Sequence, residues 1–363
     1  MSRTTTQYQQ YFPSLDGIRA VAIISVIAAH ASFRLHDGDT RNALLYIFGT
    51  GKLGVQIFFV ISGFLITTLL LREKAERNDI SLRNFYARRF LRIIPAALVY
   101  LLVLSIIDLT YKTEVSYIQF IGAIFFLMNY SYFHTEWLSG HFWSLSVEEQ
   151  FYLVFPFILK KSIKVYTAFL LLFLGVILFS RYIIQYSIGR GYSNFFTRNP
   201  ESIDYFDGII IGSLFSIALF RDLINVEWIL RKKKWLHIIC IPLIIIIFNE
   251  HMPTVYQVYL GNFNSMICAV LIGILMISNL QEKKDIVFRV LNSKIAKKIG
   301  VLSYSLYLYN MLFTPNQGFP ASTRLPTFSF PVIVNMLLLL LFAAASHYFI
   351  EKPIIKLKRY FRQ

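Results

Sequence analysis

The chain has 363 residues, 56% of them hydrophobic, with 34 Phe, 22 Tyr and a mean hydropathy of +0.55. That is too apolar for a soluble domain of this size. Apolar runs near 18 residues recur along its whole length, which predicts an all-α polytopic membrane helix bundle rather than a β-barrel of short alternating strands. The net charge of +16 does not require nucleic acid, because Lys and Arg gathered in the loops on one side of a membrane account for it.

Residues 1–14 form a polar N-terminal tail that leads into a charged span. It lacks the basic start and short plain core of a cleavable signal peptide. Apolar segments follow near 15–34, 52–71, 92–109, 116–133, 143–159, 163–186, 203–220, 235–249, 260–279, 299–316 and 331–350. Basic residues cluster between 72 and 92, at Lys160, Lys161 and Lys164, at Arg221 and 231–234, between 283 and 298, and after Lys352. All five clusters share one face only if even numbers of crossings separate them. Three segments lie between Arg92 and Lys160, so 116–133 is expected to be re-entrant or interfacial. About ten spans remain, with both termini cytoplasmic. If all three segments crossed, Lys160, Lys161 and Lys164 would lie outside. Residues 15–354 then form one membrane domain and 355–363 a basic cytoplasmic tail. The loops are too short for an independent core. Cys240 and Cys268 sit in apolar runs and read as buried free thiols, with neither disulfide nor metal-ligand spacing.

The first span holds Asp16, Arg19 and His30. Arg19 and His30 are eleven residues apart, so they lie about 20° apart around a helix and roughly 16 Å apart along it. Ionisable groups in a span are costly and mark functional sites. A neutral imidazole in the outer half can take a proton from a hydroxyl, or it can be a core histidine bonded to a neighbouring helix. In the second span, Ser62-Gly63 suits close packing better than nucleophilic catalysis. Asn84 to Pro95 crowds Arg88, Arg89 and Arg92 at the inner end of a helix, with Pro95 read as an early helical position. The arginines form either a positive-inside anchor or a clamp for the phosphates of a cytoplasmic cofactor. His141-Phe-Trp143-Ser-Leu-Ser-Val-Glu148-Glu149 opens the fifth segment. Its carboxylates either complement a helix N-terminus or orient His30 or an arginine. Asp204 and Asp207 stand at the outer end of the seventh segment. In the tenth, Tyr304 and Tyr307 line a polar face or anchor at the interface, and Asn310 can donate and accept hydrogen bonds. His347 and Glu351 are spaced to pair on one helix.

These stretches together resemble the acyltransferase-3 family of integral membrane acyltransferases. The resemblance covers about residues 11–354 and rests on the Arg19-to-His30 spacing, Gly54–Phe64, Phe85–Pro95, Phe142–Pro156, Ser303–Asn310 and Tyr348–Pro353. It implies transfer of an acyl group, most often acetyl, from cytoplasmic acyl-CoA to a hydroxyl of a cell-surface glycan or lipid-linked sugar. It places the family's arginine-to-histidine motif on Arg19 and His30, its paired arginines on Arg89 and Arg92, and its glutamate on Glu148. Relatives often carry a histidine where this chain has Asn310.

The expected mechanism has Arg88, Arg89 and Arg92 holding the phosphates of acyl-CoA. His30 acts as base, Glu148 or Asp16 orients it, and Arg19 or Asn310 stabilises the oxyanion. A covalent acyl-histidine relay is a variant. Asn310, Tyr304, Trp143 and Ser62 are expected at the substrate, with loops 35–51, 187–202 and 250–260 shaping the acceptor site. No metal and no nucleic acid is expected, a homo-oligomer is compatible, and the cell membrane is the expected location. No hydrolase-like domain is seen after residue 354, which disfavours a function that relies on one. The rival reading is a proton-coupled transporter, against which stands the lack of an inverted repeat.

Overall fold

The computed structural model describes residues 12–32, 51–113, 115–130, 132–133, 137–189, 206–248, 254–281, 285–314, 327 and 330–361. Among them every regular element is helical. The helices are α1 (Leu15–Ser32), α2 (Lys52–Arg77), α3 (Leu82–Tyr111), α4 (Tyr117–Ile124), α5 (Trp137–Gly140), α6 (Phe142–Lys161) and α7 (Ile163–Gly189). They continue with α8 (Phe206–Phe220), α9 (Val226–Ile247), α10 (Thr254–Ser278), α11 (Ile286–Leu291), α12 (Lys294–Phe313) and α13 (Val332–Ala345). Beyond α13 the chain stays helical through a π-turn (Ser346–Glu351), an α-turn (Lys352–Lys356) and a 3₁₀ turn (Leu357–Phe361).

Five helical stretches are long and apolar enough to cross a membrane: Leu15–Ser32, Lys52–Arg77, Leu82–Tyr111, Ile163–Ile184 and Val332–Phe361. The other expected spans are helical as well. They carry charges, as α6 does with Glu148 and Glu149, or are shorter, as α8 is at 15 residues. The helix starts follow local chemistry. Ser81, Asn225, Asp285 and Ser293 each accept a backbone N–H three residues on, satisfying a donor that the first turn leaves unpaired. Because Ser81 caps α3, Pro95 lies inside that helix rather than near its start. The Tyr304 hydroxyl donates to the Ile93 carbonyl beside the proline at 2.8 Å.

The segment 116–133 gives only the eight-residue α4 followed by turns. An eight-residue helix is about 12 Å long, well short of a bilayer core. The chain therefore leaves by α3 and returns by α6. Lys74 Nζ donates to the Leu159 and Lys160 carbonyls (2.8 and 2.6 Å), and Lys160 Nζ to Ile80 O and Asp79 (2.8 and 2.9 Å). These bonds bring two of the basic clusters together.

The tightest packing joins α2 to α8. A Cβ added at Gly63 would collide with the Ile209 carbonyl, and one at Gly212 with the Val60 carbonyl, so the two backbones touch through small residues. Likewise, Gly300 lets α12 lie against the Asp16 carbonyl of α1. These contacts bring α1, α2 and α12 close enough for their polar residues to share one space.

Replacing Gly63 by Leu is expected to cost roughly 1–3 kcal/mol or more through overpacking, read as a lower melting temperature in detergent. Gly175→Ala, where a Cβ meets nothing within 4 Å, should be neutral or slightly stabilising in the same assay.

Candidate active site

Five helices each turn one stripe toward a common cavity of ≈150 Å³. Helix α1 brings Arg19, and α2 brings Val55, Phe59 and Ser62 at helical spacing. Helix α3 brings Arg89 and Arg92, α6 brings Ser144 and Glu148, and α12 brings Ser303, Tyr304 and Tyr307. Each set recurs at three or four residues, so it occupies one helix face.

Three guanidiniums and one carboxylate line this space, leaving it net positive. Arg19 Nη1 pairs with Asp16 at 3.1 Å. The Arg89 guanidinium stacks over the Tyr152 ring at 4.2 Å, a cation–π contact strengthened by removal from water. Glu148 accepts a hydrogen bond from Ser62 Oγ at 2.8 Å. The charges of Arg19, Arg89 and Arg92 act on Glu148 and on one another. Tyr307 closes the far end: its hydroxyl lies 2.6 Å from Ser144 Oγ and 3.1 Å from the His141 carbonyl.

His30 lies beyond that end. The Asn310 side chain joins the two levels. Its Nδ2 donates to the Tyr307 carbonyl, which turns its Oδ1 toward His30 Nδ1, 2.6 Å away. A carbonyl oxygen only accepts, so Nδ1 carries the proton and Nε2 keeps a free lone pair, an assignment that follows from the hydrogen-bond network. The ring is held edge-on to Trp137, with centroids 5.3 Å apart. Nε2 faces the start of α2, where a Cβ on Gly51 would stand 3.6 Å from it. The arrangement is a tautomer lock of the kind a carboxylate supplies to catalytic histidines, built here from a neutral amide.

The structure therefore brings Arg19, Ser62, Arg89, Arg92, Glu148 and Tyr304 together around the cavity, and sets His30 with Asn310 one turn of α12 further on. His30 is oriented by Asn310, whereas Glu148 is engaged by Ser62 and Asp16 by Arg19. Arg19 and His30 stand on one unbroken helix, roughly 16 Å apart along it, so both cannot touch the same carbonyl. Asn310 bonds His30 through Oδ1 and the Tyr307 carbonyl through Nδ2. Arg88 stands outside the cavity, bonded to Glu73 (3.4 Å) and to the Phe361 carbonyl (3.0 Å). Trp143 packs edge-on to Phe59 with centroids 6.0 Å apart. His347 Nδ1 lies 3.5 Å from Glu351, which also accepts from Ser305.

Asp207 is fully buried. It pairs with Arg181 at 3.0 Å and accepts from Gln56 (3.2 Å) and Ser265 (3.0 Å), a lock among α2, α7, α8 and α10. Asp204 and most of the expected acceptor loops 35–51, 187–202 and 250–260 lie outside the described residues, whereas 187–189 and 254–260 are helical, in α7 and α10, rather than loop. The sequence reading passed over Ser144 and Tyr152. Their signal was the spacing Ser144, Glu148, Tyr152, one residue per turn along the Glu148 stripe.

The family described as "Acyltransferase domain" (acyltransferase-3) matches residues 12–350. The chain is similar to the peptidoglycan O-acetyltransferase OatA of Listeria monocytogenes, 27% identical over 342 residues, 85% of this chain and 50% of that protein. It is also similar to the O-acetyltransferase OatA of Staphylococcus aureus, 30% identical over 372 residues, 96% of this chain and 58% of that one. A putative O-acetyltransferase of Staphylococcus aureus is 29% identical over 377 residues, covering 97% of this chain and 59% of the relative. The chain thus spans about half to three-fifths of the length of the curated relatives it matches. No solved structure matches it.

Ser62→Ala removes the hydroxyl that Glu148 uses and should cost about 1–3 kcal/mol of stability. In a Glu148→Gln background the same change should cost clearly less. A double-mutant cycle on melting temperature measures the difference.

Proposed function

The chain belongs to the acyltransferase-3 family, and from that premise we propose that it is a membrane O-acyltransferase. It moves an acetyl group from cytoplasmic acetyl-CoA to a hydroxyl of a cell-surface glycan or lipid-linked sugar, in a bacterial cytoplasmic membrane with both termini inside. The activity of the relatives, O-acetyl transfer with peptidoglycan named for one of them, supports the acyl group and the class of acceptor.

The observation that carries the reading is the alignment of two levels: an arginine-lined cavity, and beyond Tyr307 an imidazole whose Nε2 is kept unprotonated by Asn310. In this reading Arg89 and Arg92, with Arg19 in place of its expected oxyanion role, hold the donor's phosphates, since guanidinium groups match phosphate oxygens bidentately. A thin arm such as pantetheine then runs into the cavity past Ser62 and Tyr307 while the nucleotide stays near the arginines. The thioester then reaches the level of His30. His30 Nε2 takes the proton of the acceptor hydroxyl as its oxygen attacks the thioester carbonyl. The tetrahedral intermediate collapses, the C–S bond breaks, and the departing thiolate receives the proton from the imidazolium. Asn310 Oδ1 holds the Nδ1–H throughout and favours the cationic ring while it exists.

His30→Ala should reduce acetyl transfer in isolated membranes by on the order of 10²–10⁴-fold, and parent-level activity would remove His30 from the chemistry. Asn310→Asp keeps an acceptor oxygen on Nδ1 and should retain more activity than Asn310→Ala, with melting temperatures confirming that both variants fold. Saturable binding of labelled acetyl-CoA should vanish in an Arg89→Ala/Arg92→Ala double variant.

A further inference from the structure

The last helical run does not trail into solvent. Its final turns pack back along α3, and Arg88 Nη1 holds the Phe361 carbonyl at 3.0 Å. Arg88 is held from its other side by Glu73 (3.4 Å), whose second oxygen accepts the Ser81 N–H at 2.8 Å. This fold-back brings Lys358 into the electrostatic field of Arg88, Arg89 and Arg92. Among the described residues Lys358 has no carboxylate partner. Like charges gathered at a half-buried site repel one another unless an anion joins them.

The cations stand in two tiers. Arg89 and Arg92 line the cavity, while Arg88 and Lys358 lie outside its wall on the tail side. Coenzyme A has matching anionic groups: a diphosphate next to the pantetheine arm and, across the ribose, a 3′-phosphate monoester. A monoester carries close to two negative charges at neutral pH. Phosphates held on Arg89 and Arg92 of α3 would lie next to the tail, which packs along the same helix.

We propose that Arg88 and Lys358 form a second anion subsite that grips the 3′-phosphate of the donor, so that the C-terminal turn helps select coenzyme A from its dephospho form. The inference rests on the donor reading above and adds to it a residue outside the cavity. The inner arginines bind the diphosphate. Arg88 is fixed by Glu73 and the tail carbonyl, and Lys358 supplies the mobile charge that closes on the monoester.

The test compares the binding of coenzyme A and 3′-dephospho-coenzyme A to the full-length detergent-solubilised protein. The parent should bind coenzyme A about tenfold more tightly, the scale of one charge-assisted phosphate contact. Lys358→Ala should lose that preference by weakening coenzyme A alone, Lys358→Arg should keep it, and Arg89→Ala/Arg92→Ala should lose both ligands. If the preference persists in Lys358→Ala while the double variant abolishes binding, the tail subsite is wrong and the donor reading stands. If the parent binds neither ligand, the donor reading falls and the subsite with it. A phospholipid headgroup offers Lys358 the same phosphate chemistry, so the series is repeated in micelles with and without an anionic phospholipid. An effect of Lys358→Ala that appears only with the lipid makes the tail a membrane anchor and overturns the subsite.

Discussion

A guanidinium inside a bilayer must find polar partners within the protein, because the hydrocarbon provides none and its desolvation is expensive. Arg19, Arg89 and Arg92 impose that condition on the whole bundle. Each is met by a different device: a carboxylate one turn away on α1 for Arg19, an aromatic face on α6 for Arg89, and the common polar cavity with Glu148 for Arg92. Five helices must therefore turn their polar stripes inward at one depth. The glycine contacts at Gly63, Gly212 and Gly300 let their backbones come close enough to do so. What results is a cationic pocket among packed helices, where an anion interacts more strongly than it would in water.

Helix α12 ties the pocket to the histidine. Four of its side chains reach four different elements: Tyr304 to the Ile93 carbonyl of α3, Ser305 to Glu351 in the π-turn, Tyr307 to Ser144 of α6, and Asn310 to His30 of α1. The arginine-lined cavity and His30 are thus joined by a single helix, with Asn310 one turn beyond Tyr307. An acyl carrier with its charge at one end and its reactive thioester at the other suits that arrangement. Asn310 holds the proton on Nδ1 without itself titrating.

The C-terminal run belongs to the same device. The π-turn at Ser346–Glu351 adds a residue to a helical turn, as π-bulges at functional sites commonly do. It brings Glu351 toward both His347 and Ser305. The helical run then continues onto α3, where the Phe361 carbonyl meets Arg88. The arginines of α3 are consequently bordered by α1 and α6 on the cavity side and by the turn Leu357–Phe361 on the other.

Much of this was legible without coordinates. Hydropathy runs, the cost of charge in hydrocarbon and the loop bias of Lys and Arg are local or additive quantities, so a helical membrane bundle, and Arg19, His30, Arg89, Arg92 and Glu148 as candidates for its site, could be read from residue types and spacing. Partner choice could not. Asn310, rather than Glu148 or Asp16, meets His30 because the close approach at Gly300 sets α12 beside α1, and no spacing within either helix encodes that contact. Tyr152 under Arg89 and Lys358 beside Arg88 depend equally on how α6 and the last helical run lie against α3. A sequence fixes which face of a helix is polar through its 3.6-residue period; which polar faces meet is decided only when every helix packs at once, because backbone contact, charge neutralisation and hydrogen-bond geometry must all be satisfied by the same arrangement.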